Sequence, residues 1–351
     1  MKLSIISFTN KGSNLSLKIK DLLKEGDFEC TLYSACSFVD DERINKTEEK
    51  LNEWCKKRFE EKSAIVFIGA LGIAVRGIAP SVKDKLNDVP VLVIDENGIN
   101  VIPVLSGHVG GANEIARKIA SILDANAVIT TATDINDKFA ADLFAKKNDL
   151  YISDKSGIAK VSSKILEGID VRICIDDSLS FEKENMPEGL RLESYNADDN
   201  FDILVTNDLS KSNADLVLYT KEYVLGIGCK KGKDAVEIEN FVKDILAEKG
   251  IDIKTIACVS SIDVKKDEKG ITEFCDKYGI PFITYSAEEL SKAEGVFESS
   301  DFVCEKVGVD NVSERAAVTA AGAGSNLIVN KQAGEGKTLA IAKKKIYISF
   351  E

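Results

Sequence analysis

At 351 residues, 44% hydrophobic and 30% charged, the chain holds more apolar material than one ordinary core can organise, and dividing by a usual domain length predicts roughly two or three domains. A formal net charge of −12 repels phosphate backbones and anionic lipid, which excludes nucleic acid and membrane surfaces as general partners. An anionic ligand must therefore be held by discrete backbone N–H nests or by a few well-placed Lys and Arg.

The N-terminal run Met1–Phe8 passes straight into Thr9-Asn10-Lys11, without the apolar core and cleavage site of a signal peptide, and reads as a first buried strand. Runs such as 64–74 and 89–94 stop well short of the ~20 apolar residues of a membrane span, so a cytoplasmic setting is expected. Further strands are predicted at 28–33, 64–68, 90–94, 100–105 and 126–130, with helices over 13–25, 46–62, 71–79 and 109–124. A middle stretch adds a helix over 153–166 and strands at 171–175 and 203–206, with polar turns at 194–200 and 208–215. From Tyr223 the pattern restarts: strands at 224–227, 255–259, 281–284, 327–329 and 338–342, and helices over 235–249, 267–278 and 313–321. The fold class predicted is multi-domain α/β, with parallel-sheet βα units in an N-terminal domain (1–140) and a C-terminal domain (222–351) joined by a smaller middle α/β segment (141–221).

The eight cysteines, at 30, 36, 55, 174, 229, 258, 275 and 304, form no C-x-x-C pair, so they read as reduced core residues and no metal site is expected. Chemistry is expected in Gly-rich strand-to-helix loops, where free N–H groups and close backbone approach suit an anion or oxyanion. Three such loops are expected on one rim of the first sheet: Gly69-Ala70-Leu71-Gly72 leading to Arg76, Ser106-Gly107-His108-Val109-Gly110-Gly111-Ala112-Asn113-Glu114, and Thr131-Ala132-Thr133-Asp134. His108 is the only histidine and sits in a glycine loop, which suits proton transfer. Glu114 is equally readable as a first-turn carboxylate facing the helix dipole, and Asp134 as a helix cap. The loop Gly226-Ile227-Gly228-Cys229-Lys230-Lys231-Gly232-Lys233 fails as a P-loop. Five residues rather than four precede Gly232-Lys233, and Asp234 stands where a Ser or Thr is needed. Lys231 also stands where a dinucleotide fingerprint needs its third glycine, so what remains is a lysine-bearing nest suited to a carboxylate.

These runs carry a family resemblance. Residues 69–80, Lys83-Asp84-Lys85, 105–114 and 129–134, with 226–232, 261–265, 285–290 and 337–342 in the C-terminal part, closely resemble the cobalt-precorrin-5A hydrolase (CbiG) family. The resemblance implies a hydrolase of anaerobic cobalamin biosynthesis. Its substrate would be a cobalt-bearing tetrapyrrole whose ring-A δ-lactone is opened by water, with loss of acetaldehyde, to give cobalt-precorrin-5B. Cobalt would arrive inside the substrate, so no cofactor is implied.

On this reading the catalytic candidates are His108, Glu114, Asp134 and Arg76. Neutral His108 would take a proton from water, the Gly110 and Gly111 N–H groups or Arg76 would hold the oxyanion, and Glu114 or Asp134 would move protons. The substrate-binding candidates are Gly69, Gly72, Lys83, Lys85, Ser106, Gly107, Gly110, Gly111, Asn113, Thr131 and Thr133, then Gly226, Gly228, Lys230, Lys231 and Lys233. The lysines and Arg76 would clamp substrate carboxylates in a cleft between domains. The partner is the cobalt-tetrapyrrole. Homo-oligomerisation and transient contacts with pathway enzymes stay open, as does a non-catalytic tetrapyrrole carrier or an interaction scaffold.

Overall fold

The computed structural model describes residues 1–23, 28–84, 87–136, 138–298 and 308–350, which fall into two compact units, Met1–Leu143 and Phe144–Glu351. The class is mixed α/β. In the first unit the elements run β1 (Lys2–Ser7), α1 (Asn10–Leu22), β2 (Glu29–Ser34), β3 (Ile44–Lys46), α2 (Leu51–Glu60), β4 (Ala64–Ile68), α3 (Leu71–Ile78), β5 (Val91–Ile94), β6 (Asn100–Leu105), α4 (Ala112–Leu123), β7 (Asn126–Ala127) and α5 (Ala132–Ile135). They form a seven-stranded sheet in the order β3-β2-β1-β4-β5-β6-β7.

Central β4 is buried along its whole length because helices cover both faces, which is why its sequence is a continuous apolar run. Val66 and Ile68 pack with Ile19 of α1 and Ile115 and Ile119 of α4, while Ile65 and Phe67 point the other way, to Trp54 of α2 and Ala74 and Ile78 of α3. Strands β1 to β5 pair in parallel. The expectation of a wholly parallel sheet fails at β6, which pairs antiparallel with β5, Ile94 opposite Val101 and Val91 opposite Leu105. Only residues 95–99 separate these strands, far fewer than a parallel crossover requires. The expected strand at 126–130 is paired only over Asn126–Ala127, and the helix expected from 109 starts at Ala112, because Gly111 stands at φ +88.

Helix α6 (Ala141–Lys147) crosses the division between the units. The second unit continues with β8 (Leu150–Ile152), α7 (Lys155–Leu166), β9 (Val171–Ile175), β10 (Ser180–Phe181), β11 (Leu190–Glu193), β12 (Phe201–Thr206) and β13 (Ala214–Thr220). Strand β13 takes up the end of the stretch expected to be a polar turn. A five-stranded sheet orders them β11-β9-β12-β13-β8.

A second five-stranded sheet follows. It uses β14 (Tyr223–Cys229), α8 (Ala235–Glu248), β15 (Ile256–Ile262), α9 (Lys269–Tyr278), β16 (Phe282–Tyr285), α10 (Ala287–Ser291), α11 (Val312–Ala321), β17 (Asn326–Gly334) and β18 (Lys337–Lys343), in the order β16-β15-β14-β18-β17. A short β19 (Tyr347–Ile348) pairs with β10. Here too the sheet is mixed: β18 lies antiparallel to β14 and β17, because the two-residue turn Glu335-Gly336, with φ of 47° and 78°, makes β17 and β18 a hairpin. Helices α8 and α9 cover one face through Ile238, Val242, Ile271 and Phe274. The small residues of α11 let that helix approach closely, with Ala317 against Ala340 and Ala342.

That close approach fixes one glycine. A Cβ on Gly226 would stand 1.8 Å from the Ser313 carbonyl oxygen, so Gly226 serves helix-on-strand packing rather than a ligand loop. Gly226→Ala is therefore expected to destabilise the protein by about 1–3 kcal/mol or more, read as a lower urea midpoint. An unchanged midpoint would mean that α11 does not dock this tightly.

Candidate active site

The reversal of β6 decides which candidate residues meet. Gly69 and Gly72 follow β4 and lie at the carboxyl edge of the parallel strands, whereas β6 runs the other way and delivers residues 106–111 to the amino edge. There Ser106 Oγ donates to the carbonyl of Asp88, which sits just before β5. Strand β7 is parallel to β6 and brings Thr131–Asp134 to the same edge. Two of the three loops therefore share a rim, and the Gly69–Gly72 turn does not. Gly69 packs under the Phe8 ring, and Arg76 is exposed, its Nη1 donating to the Gly72 carbonyl at 3.3 Å.

At the amino edge the structure assembles one polar cluster. His108 Nε2 lies 2.5 Å from Asp134 Oδ2 and 3.0 Å from Thr133 Oγ1, and its Nδ1 lies 3.5 Å from Asp142 Oδ1. Asn113 Nδ2 donates to Thr131 Oγ1 at 3.0 Å and to Asp134 Oδ2 at 2.8 Å, while Arg117 Nη2 donates to Asp134 Oδ1 at 2.8 Å. The side chains of His108, Asp134 and Asp142 are only 14%, 12% and 11% exposed. Five expected residues (His108, Asn113, Thr131, Thr133, Asp134) are thus in mutual contact. Glu114 is exposed on the first turn of α4, and Lys83 is exposed at the side chain while its backbone N–H donates to Asp88. Lys85 lies outside the described residues.

The glycine loop folds back on itself. The Ala112 and Asn113 N–H groups donate to the carbonyls of Ser106 and Gly107, and the Gly111 N–H donates to that of His108 at 2.9 Å. Gly111 is therefore not the open oxyanion donor expected of it. Gly107 and Gly110 are needed because a Cβ would stand 2.8 Å from Asn113 Oδ1 and 2.4 Å from Ser106 Cβ respectively. Ser106 itself holds a left-handed φ of 57°, a strained choice for a non-glycine residue.

In the second unit the lysine nest is also internally occupied. The Gly232 N–H donates to Glu268 Oε1 at 2.7 Å, and Lys233 is paired with Glu237 at 2.7 Å. Lys231 lines a cleft of about 690 Å³ with Lys233, Glu268 and Lys269. Gly228 and Lys230 instead line a second cleft, of about 510 Å³, beside the β17–β18 hairpin. Among the described residues no cluster of His, Cys, Asp and Glu could hold a metal ion, and the seven described cysteines are unpaired, Cys304 lying outside them.

Comparison with known proteins gives two family matches, "Cobalamin synthesis G N-terminal" over residues 53–134 and "Cobalamin synthesis G C-terminus" over residues 223–342. Cobalt-precorrin-5A hydrolase from Priestia megaterium is 35% identical over 79% of this chain and 77% of its own. The Salmonella typhimurium protein of the same name is 33% identical over 75% of this chain and 77% of its own. A Methanocaldococcus jannaschii protein named "Probable cobalt-precorrin-5A hydrolase" is 28% identical over 99% of this chain and 100% of its own. The chain belongs to the cobalt-precorrin-5A hydrolase family.

The N-terminal match ends at Asp134, so in this family member it spans the glycine loop and one of the two carboxylates that bracket His108. The hydrogen bond to Asp142 is the largest influence on His108; burial opposes it, and the charges of Asp142 and Asp134 join it in holding the imidazole above its ordinary pKa. Asp134 lies closer but pulls less, since Arg117 and Asn113 already engage its oxygens. Burial pushes Asp134 up, yet Arg117, Asn113 and His108 outweigh it and leave the carboxylate below its usual range. The two carboxylates therefore stabilise the charged imidazole relative to an unpaired one, surroundings that the expectation of a neutral base did not include. Sequence reasoning missed Asp142 and Arg117. Both read as ordinary surface charges, and only the docking of α5 and α6 brings them to residues 17 to 34 positions away.

The pairing has a pH signature. A raised folded-state pKa stabilises the protein in full below the ordinary value of ~6.5 and is lost as pH rises through the folded value. The stability difference between the native chain and His108→Gln is expected to narrow from about pH 6 to about pH 9, measured by urea midpoints. An equal difference at both ends would mean that the imidazolium is not held by the two carboxylates.

Proposed function

We propose that the chain hydrolyses cobalt-precorrin-5A, opening the ring-A lactone with water and releasing acetaldehyde to give cobalt-precorrin-5B, with His108 and Asp134 at its proton-handling centre. Water is the co-reactant, the cobalt belongs to the substrate, and the reading includes no resident cofactor and a cytoplasmic setting. The observation that carries the placement is the single histidine bracketed by Asp134 and Asp142 within a stretch matched by the family.

The two carboxylates beside the imidazole favour its charged form, and on this reading His108 serves as the acid rather than as the expected base. Imidazolium His108 transfers a proton to the lactone oxygen as its bond to the carbonyl carbon breaks, and recovers one from the added water; the hydroxyl so freed then yields its proton as the carbon–carbon bond to the macrocycle breaks, acetaldehyde leaves, and the macrocycle carbon takes up a proton. To do so, Nε2 must be released by Asp134 or Thr133, while Arg117 and Asn113 keep the Asp134 carboxylate in place. Arg76 and Gly72 stand at the opposite edge of the sheet from the loop and take no part in this step. A carrier that binds the tetrapyrrole without turnover is the second reading, and it is favoured by the low exposure of His108.

Purified protein given cobalt-precorrin-5A is expected to release acetaldehyde in amounts matching the substrate consumed. Binding with no acetaldehyde would establish the carrier instead. If His108 is the acid, turnover should decline on the alkaline side, above the ordinary histidine range, and His108→Gln should lose about 10²- to 10⁴-fold in kcat. A Gln variant with near-native turnover and the same alkaline limb would remove His108 from the chemistry.

A further inference from the structure

The 510 Å³ cleft in the second unit is lined by four lysines, Lys230, Lys265, Lys331 and Lys337, and by one acid, Glu335. In a chain of net charge −12 that is a reversal of the local sign. The lysines are also poorly matched. Lys337 is 6% exposed, yet its nearest carboxylates stand at 3.4 Å (Glu335) and 4.0 Å (Glu237), beyond the ~2.7–2.9 Å of a charge-assisted pair. Glu237 is already held by Lys233 at 2.7 Å. Lys331 is 20% exposed and, among the described residues, pairs only with Glu298, at 4.0 Å. Lys230 is exposed at the mouth and has no ion pair among the described residues, and of the four only Lys265 has a close one, Glu268 at 2.9 Å. Buried or half-buried ammonium groups without close carboxylates are unfavourable unless something anionic completes them.

Beyond the charged groups and the polar Asn311, Ser313 and Thr338, the lining is apolar. Ile262, Val312 and Ala333 contribute to it, and Val264, 67% exposed, presents a bare branched side chain to the same cleft. A ligand matching this surface has a broad apolar face and carboxylates at its periphery. A compact oxyanion such as phosphate matches the lysines but leaves the apolar wall uncovered. We propose that this cleft is the site where a carboxylate-bearing tetrapyrrole is bound, with Lys230, Lys331 and Lys337 receiving its carboxylates. The inference rests on the hydrolase reading for the identity of the ring. It moves the anion clamp from the expected Lys231 and Lys233 to Lys331 and Lys337, residues that lie on the β17–β18 hairpin, about 100 positions away in sequence.

The test is titration of the full chain with a cobalt corrinoid carrying free carboxylates, with its fully methyl-esterified form, and with inorganic phosphate. The free acid should bind more tightly than the ester, and phosphate should not compete at millimolar concentration. The double variant Lys230→Gln/Lys331→Gln should weaken the acid by about tenfold without affecting the ester. Circular dichroism checks its fold, and Lys231→Gln should bind as the native chain does. Equal binding of acid and ester, or native affinity in a folded double variant, overturns the proposal, and displacement by phosphate identifies a simple oxyanion site instead. With cobalt-precorrin-5A the double variant should raise KM more than it lowers kcat. Lysine-dependent binding without acetaldehyde would leave this site standing and remove the hydrolase reading. Acetaldehyde release with a native KM in the double variant would do the opposite.

Discussion

The arrangement of the first unit depends on a turn of five residues. The Asp95 carboxylate accepts N–H bonds from Asn97 at 2.9 Å and Asn100 at 2.6 Å, and the Asp95 carbonyl accepts that of Gly98 at 2.8 Å. These bonds close the connection and force β6 back alongside β5. Without the reversal, the loop after β6 would open at the carboxyl edge beside Gly69 and Gly72, where ligands of open parallel sheets usually bind. With it, the loop opens at the amino edge, against Asp88, Thr131 and Asp134. The location of the histidine is thus set by a turn that carries no catalytic group.

Charge compensation within the chain then shapes both candidate sites. In the first unit, Arg117 and Asn113 hold the Asp134 carboxylate below its usual range, and Asp142 and Asp134 raise the imidazole above its own, within a cluster that is little exposed. In the second unit, the nest that reads as open in sequence is filled by the protein's own Glu268, and Lys233 is taken by Glu237. Among the described residues, positive charge without a close partner remains around the cleft of Gly228 and the β17–β18 hairpin. A free lysine in the sequence is therefore a poor guide to a free lysine in the fold, because an acidic chain supplies close partners for some, such as Lys233 and Lys265, and not for others.

The two glycine-rich motifs also divide by purpose. Gly226 exists because α11 lies directly on β14, and Gly107 and Gly110 because Asn113 and Ser106 fold over their own loop. Each satisfies a packing or hydrogen-bonding demand before any ligand is considered.

By itself the sequence determined the α/β class, the position of most of the longer strands and helices though not of β3, β8, β10, β11, β13 or β19, the family, and the residues of the His108 cluster that lie in local motifs, because apolar periodicity and glycine loops are local properties. The Asn97-Gly98 pair between two apolar runs was a legible hairpin signal, and it goes unread when every strand is assigned to a βα unit. Tertiary structure alone decided strand direction at β6 and β18, the edge on which the loop opens, and the partners Asp142, Arg117, Lys331 and Lys337. Charged residues far apart in sequence carry no spacing rule that says which will be neutralised by a neighbour and which left waiting. That is settled only when helices and hairpins bring distant side chains within the few ångströms over which ion pairs and hydrogen bonds act.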